Sequence, residues 1–266
     1  LTIAVVQPHT MRGGSEVAHV RTMLDVARLP QVSGDEADDD VEEFAFSRAM
    51  SDTEIADAWA RNGRIASHKG TEAHYGAECF FNGLPLRWWE PDMQVLLDFC
   101  KTTLVPHGIV AAHTEREIVC LDADLAGSID LIVWDARNGV HHIIDHKRSD
   151  KLQGSLRGFR KMAAPFKHLD DCKGAAYALQ TSIYQYILER DYGMTIGDRV
   201  LLSLHADRPF VTSVPYLRAE VEFLIETRIA LVRARRAVAA ARPDVFCCAL
   251  SGAPVVDAVR SSDGRV

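Results

Sequence analysis

The chain lacks the features of a membrane-spanning, secreted or disulfide-stapled protein. No run of about eighteen uninterrupted apolar residues occurs, the length needed to cross a bilayer. The first twenty-five residues carry His9, Arg12, Glu16 and His19 where a signal peptide would need an apolar block. No membrane association is expected, and an intracellular setting is. The chain begins at Leu1 rather than Met, as a processed or excised piece would. Its six cysteines, Cys79, Cys100, Cys120, Cys172, Cys247 and Cys248, show no C-x-x-C spacing, so neither a zinc ribbon nor a disulfide framework is expected. They read as small buried hydrophobes in a reducing compartment. Bases are also short: 30 Lys and Arg against 37 Asp and Glu give a formal net charge of −7, which taken whole argues against a polyanionic partner.

What is present is a chain of 266 residues, 47% hydrophobic and 25% charged, enough for one sizeable core or two small ones. Residues 1–50 read as an N-terminal extension with a short apolar opening, a helix around 15–28 and an acidic loop. Ser51 with Glu54 three residues later forms a capping box, and Ile55, Ala58 and Trp59 share a helical face. Further helices are expected over 66–82 and 92–107, each closed by glycine, Gly83 and Gly108. The period then becomes extended, with strands over 115–121, 125–134 and 140–147. A helix follows over 173–191, a strand over 200–205 with 210–214 beside it, and a long helix over 216–242. The order implies one α/β domain over 51–242, with an N-terminal helical elaboration, a long C-terminal helix and an unpatterned tail over 243–266.

Asn138-Gly139 between two β-rich runs signals a hairpin. A two-residue loop would pair Asp130 with Lys147 and Ile132 with Asp145. A four-residue loop, Ala136 to Gly139, keeps the same parity, whereas a three-residue loop destroys it. With that parity Asp130, Asp145 and Lys147 point to one side of the hairpin. Carboxylates and an ammonium gathered among apolar strands are costly without a compensating ion. A divalent cation with oxygen ligands resolves this, and the backbone carbonyl of His146 adds a further hard ligand. The competing reading is a cross-strand Asp–Lys ion pair on an exposed face.

Gly127-Ser-Ile-Asp130 followed by Ile143-Ile-Asp145-His-Lys147 resembles the core of the PD-(D/E)XK nucleases, with Ile129 where the family name has proline. It is more specifically similar to the RecB-like exonuclease branch. Gly70-Thr-Glu-Ala-His74 resembles that branch's G-x-x-x-H motif, and Gln180-Thr-Ser-Ile-Tyr184 its Q-x-x-x-Y motif. The resemblance covers about residues 66–206. It implies a restriction-endonuclease-like αβββαβ core. It also implies Asp130 and Asp145 as metal ligands, Lys147 as the catalytic lysine, His74 as a further ligand, and Gln180 and Tyr184 as DNA-holding residues. Glu117 sits where related nucleases place an auxiliary acid, with Glu115 competing on the same face. The branch members that hold an iron–sulfur cluster use a downstream cysteine trio. Here only Cys172 and the adjacent Cys247-Cys248 lie downstream, so no cluster is expected.

The net charge conceals its distribution. Residues 35–43 hold seven acids and no base, leaving thirty acids against thirty bases elsewhere. From Lys147 to Lys173 there are eight bases and three acids. This segment, with Arg148, Lys151, Arg157, Arg160 and Lys161 interleaved with Phe159 and Phe166, reads as a mobile arch gripping phosphates and stacking bases, or as a merely soluble loop. The acidic run itself reads as a solvated loop that could mimic DNA over the basic groove. Together these features lead to the expectation of a Mg²⁺- or Mn²⁺-dependent nuclease that hydrolyses DNA, single-stranded or from an end, with one or two ions. The alternatives are a cap-snatching-type RNA endonuclease and a catalytically silent nucleic-acid-binding module.

Overall fold

A computed structural model describes residues 2–7, 19–25, 50–86 and 91–241. The acidic run over 35–43, Trp88, Trp89, Cys247, Cys248 and the tail lie outside the described residues.

The fold is mixed α/β. Five strands form an open, mostly antiparallel sheet: β3 (Ile109–Cys120), β4 (Leu125–Asp135), β5 (Val140–Lys147), β6 (Ile196–Ser203) and β7 (Phe210–Ser213). Strands β1 (Thr2–Gln7) and β2 (His19–Asp25) extend it at the β3 edge, so the helix expected around 15–28 is instead a strand. β5 and β6 are parallel, as a helical crossover between them requires, and the β3–β4, β4–β5 and β6–β7 pairs are antiparallel.

Helix α1 spans Asp52–Asn82 as one element rather than two, running through Gly63 and Gly70. The capping box starts it: Glu54 N donates to Ser51 Oγ (3.3 Å) and Ser51 N donates to Glu54 Oε2 (2.7 Å). Gly83, at φ 65°, ends it in the left-handed conformation that a side chain would resist. Its first turns are largely exposed, Trp59 at 66%, with Ala58 buried among them. Helix α2 (Pro91–Phe99) continues through a π turn into the short helix α3 (Val105–His107), closed by Gly108. Helices α4 (Lys173–Tyr192) and α5 (Arg218–Ala241) complete the fold. Among the described residues no helix is long and apolar enough to cross a membrane.

The sheet is covered on both faces. Ala73, Ala77, Phe80 and Phe81 of α1 and Met93, Leu96 and Leu97 of α2 pack with Leu131, Val133, Ile144 and Leu202. Tyr186, Ile187 and Leu188 of α4 and Val221, Ile225 and Ile229 of α5 pack with Ile118, Ile129, Ile132 and Ile143. Strand β4 is irregular around Asp130. Ile129 belongs to the α4/α5 side and Leu131 to the α1/α2 side, although residues two apart in a regular strand share a face. Asp130 sits at this break. Opposite it Glu115 takes a positive φ of 44°; the β3–β4 pairs on either side, Thr114↔Leu131 and Arg116↔Ile129, keep one register, and the shift in this strand pair lies between Ala111 and His113.

Candidate metal centre

The hairpin turn selects the register. Asp135 pairs with Val140, so the loop is the four-residue Ala136–Gly139, not two residues. Asp135 holds it: its side chain accepts from Arg137 N (2.9 Å), Asn138 N (3.3 Å) and Asn138 Nδ2 (2.6 Å). Its carbonyl accepts from Gly139 N (2.9 Å). The ladder ends at Leu131↔Ile144, and extending it one step sets Asp130 across from Asp145 rather than Lys147. There the strands fork. His146 N donates to Asp130 Oδ2 at 2.7 Å, a side-chain bond where a backbone bond would have stood. The N–H and C=O of one strand residue point the same way, so the His146 carbonyl also faces this fork.

His74 reaches the fork from α1. Its Nδ1 lies 3.6 Å from Asp130 Oδ1 and 3.7 Å from Glu115 Oε1, and the candidate ligand atoms of these three residues all lie within 4.8 Å of one another. Ser128 Oγ donates to Glu115 Oε2 (3.1 Å), aiming that carboxylate. The acid of β3 that joins the cluster is therefore Glu115, turned inward by its positive φ; Glu117 is exposed, two residues further along. Asp145, almost fully buried, receives Lys147 Nζ at 2.7 Å, and that ammonium rests 5.1 Å from the ring centroid of Tyr177. Tyr177 went unnoticed in the sequence. The signal was there, since it lies seven residues before Tyr184 on the same stripe of α4.

The electrostatics are those of a site short of positive charge. Burial pushes the Asp130 carboxyl up to about 6, Asp145 adds to that, and His74, Lys147 and the His146 N–H oppose it. Burial also raises Asp145, against the pull of Lys147. Burial works against the Lys147 ammonium, yet Asp145 and Asp130 hold its pKa above the ordinary lysine value, so it is a charged donor. The His146 imidazole is pushed down to about 3 by burial and by His74 and Lys147, so it is neutral. Its ring meets the His74 ring edge-on at 6.1 Å, bracing the orientation of that imidazole.

On the other side of the fork stands Tyr184. Gln180 Nε2 donates to Tyr184 Oη (2.9 Å), and burial together with Asp145 and Asp130 raises the phenol's pKa. Gly127 makes room for it: a Cβ there would lie 2.8 Å from Tyr184 Cε1. The glycine of the Gly-Ser-Ile-Asp run and the tyrosine of the Gln-x-x-x-Tyr run are thus one packing unit. Gly70, by contrast, has open space about it, and nothing in the structure explains it.

The basic segment divides. Arg148 does not face a groove; its Nε pairs with Asp92 Oδ2 at 2.5 Å, and Asp92 Oδ1 accepts from Ala206 N (3.0 Å), locking α2 to the end of β6. Lys161 pairs with Asp170 (2.6 Å) but is largely exposed. Lys151, Arg157 and Arg160 are exposed. Of the cysteines, Cys79, Cys100 and Cys120 are buried and Cys172 caps α4, accepting from Ala175 N.

The carboxylates of Asp130 and Glu115 and the His74 imidazole form an oxygen-rich donor group with room for one cation, and the Asp145 carboxylate stands across from Asp130. That chemistry fits Mg²⁺ or Mn²⁺.

No family model matches the chain, and no curated protein matches it. Among solved structures, one titled "Crystal structure of SSO0001" is similar at 21% identity, with a TM-score of 0.25, over 53% of this chain and 58% of that one. The match thus spans less than two thirds of that chain's length.

Proposed function

We propose that the protein is a divalent-metal-dependent nuclease of the PD-(D/E)XK type, RecB-like branch, that hydrolyses phosphodiester bonds of DNA with single-stranded or end-containing character. The observation that carries this reading is the convergence at the β4/β5 fork: Asp130, Asp145 and Lys147 from the hairpin, and His74 from α1, 3.6 Å from Asp130. The order α1, β3–β4–β5, α4, β6 supports a restriction-endonuclease-like αβββαβ core.

In this reading Asp130, Asp145, His74, Glu115 and the His146 carbonyl hold Mg²⁺ or Mn²⁺. When bound, the cation supplies Lewis acidity to the scissile phosphate and acidity to the attacking water. The chain's own groups do the rest. Lys147, held protonated by two carboxylates, donates to a non-bridging phosphate oxygen and stabilises the charge that develops there. His146 N–H fixes the rotamer of Asp130, and the neutral His146 ring steadies His74. Gln180 and Tyr184 line the opposite wall, where the Tyr184 hydroxyl can donate to a phosphate as it stands. Attack forms the O–P bond and breaks P–O3′, leaving a 5′-phosphate.

The test is degradation of single-stranded DNA in Mg²⁺ by the intact protein, Asp130→Asn and Lys147→Ala. Loss of at least a hundredfold in both variants, with folding retained, is expected. Undiminished degradation in either removes the proposal.

A further inference from the structure

Residues 148–172 leave the candidate site after Lys147 and return as α4, with one short turn at Gln153–Leu156 and one isolated β-bridge between Lys161 and Asp170. They are nevertheless pinned. Leu152 is 1% exposed, packed with Ala178, Leu201 and Val214. The Phe166 ring meets Phe223 of α5 edge-on at 6.0 Å, and His168 Nε2 lies 2.6 Å from Glu220 Oε1. Asp171 N donates to Arg160 O (2.8 Å) and Met162 N to Leu169 O (3.0 Å), closing residues 160–171 into a small excursion. At these points the segment is an anchored platform, and Phe166 is part of its foundation.

Phe159 is different. It is fully exposed, at 111% of its reference area, and it is the one large apolar side chain so exposed among the described residues of this segment. Its neighbour Gly158 is pressed against the backbone of Asp171, where a Cβ would meet Asp171 O at 2.9 Å, so the ring's root is fixed at the entry to α4. Exposed Arg157 and Arg160 flank it; of the two nearby acids, Asp170 is taken up by Lys161 and Gly158 N, and Asp171 is exposed beside Arg160. Four residues into α4 from Lys173, about 6 Å of helix, Tyr177 lies beneath Lys147. A protein-docking anchor is normally set in a contiguous apolar patch. A lone aromatic ring between cations is complementary to a chain of bases and phosphates instead.

We infer that Phe159 is a stacking post for an unpaired base, with Arg157 and Arg160 neutralising the adjacent phosphates, and that it makes the protein select single-stranded over duplex nucleic acid. This rests on the nuclease reading of the neighbouring site. Inside a duplex the base faces are covered by their stacked neighbours, so the post favours an open strand.

The experiment measures fluorescence anisotropy of a short labelled oligodeoxyadenylate and of the corresponding duplex. It uses the full chain in Ca²⁺, comparing wild type, Phe159→Ala and Phe159→Trp. Alanine should weaken single-strand binding about tenfold, the expected effect of losing one base–aromatic stack. Duplex binding should be unchanged, and tryptophan should restore the single-strand affinity. Equal single-strand affinity in wild type and Phe159→Ala, or equal losses for strand and duplex, overturns the inference. Hydrolysis of bis(p-nitrophenyl) phosphate in Mn²⁺ by wild type and Lys147→Ala tests the metal site separately, because Phe159 is the same in both. Lysine-dependent diester hydrolysis with no Phe159 effect sinks this inference alone. Absence of both diester hydrolysis and strand binding sinks the nuclease reading with it.

Discussion

The backbone N–H of His146 donates to the side chain of Asp130 at 2.7 Å, at the point where the β4–β5 ladder stops. A carboxylate thereby completes a backbone bond and is carried into a buried fork beside a second carboxylate. The first prediction concerns stability. Burial raises the Asp130 pKa to about 6 in the folded chain, against about 3.9 unfolded. The folded state therefore prefers the protonated form. Without metal, its contribution is present below the unfolded value and is lost as pH rises through the folded one. Asp130→Asn keeps an acceptor for His146 N–H and removes the charge. The metal-free variant should exceed wild type near neutral pH by about 2 kcal/mol, and Mn²⁺ should no longer raise its Tm. Thermal unfolding in EDTA across pH checks this, and identical profiles would show that the buried charge carries no penalty.

Gly127→Ala should be poorly tolerated, because the new methyl carbon would lie 2.8 Å from Tyr184 Cε1. Overpacking of this kind costs about 1–3 kcal/mol. Tyr184→Ala removes the obstacle, so the double variant should be more stable than the sum of the single effects implies. A double-mutant cycle in urea measures the coupling; strict additivity would mean that the two residues do not meet.

Arg148→Ala should act on folding before it acts on any ligand. The Arg148 and Asp92 side chains are only 18% and 10% exposed, and removing one partner of such a pair costs about 3 kcal/mol. Lys151→Ala, on the exposed part of the same segment, should stay within about 0.5 kcal/mol of wild type. Denaturant unfolding distinguishes them. An Arg148 variant of native stability but weakened strand affinity would reassign that residue to the ligand.

Asp135 tests the turn. Its side-chain bond from Asn138 and the backbone bonds from Arg137 and Asn138 lower its pKa below the ordinary carboxylate value. The stability it contributes is present above the unfolded pKa and is lost as pH falls through the lowered folded one. Asp135→Ala should lower Tm at neutral pH, with the gap to wild type closing in acid. A gap independent of pH would mean that the carboxylate's charge is not what holds the turn.

Features set by short-range physics were legible in the sequence. The capping box at Ser51, the glycine stops at Gly83 and Gly108, strand β5 and helix α4 lie at or near their expected bounds, because caps, turns and periodicity depend on residues a few positions apart. Asp130, Asp145 and Lys147 were singled out through their spacing on the hairpin, and His74 through the resemblance of Gly70-Thr-Glu-Ala-His74 to a G-x-x-x-H motif. Long-range packing decided the remainder. The turn at Asp135 shifted the register so that Asp130 stands across from Asp145. The positive φ of Glu115 brought that acid, not Glu117, to His74. Asp92, 56 positions away, took Arg148 into the fold. Anchors on α5 turned the basic segment into a platform and left only Phe159 of its two aromatic rings fully exposed. Sequence determines which elements form and what chemistry they carry. Which of several equivalent charged residues faces the site depends on backbone irregularities and partners that exist only once the sheet and helices have packed.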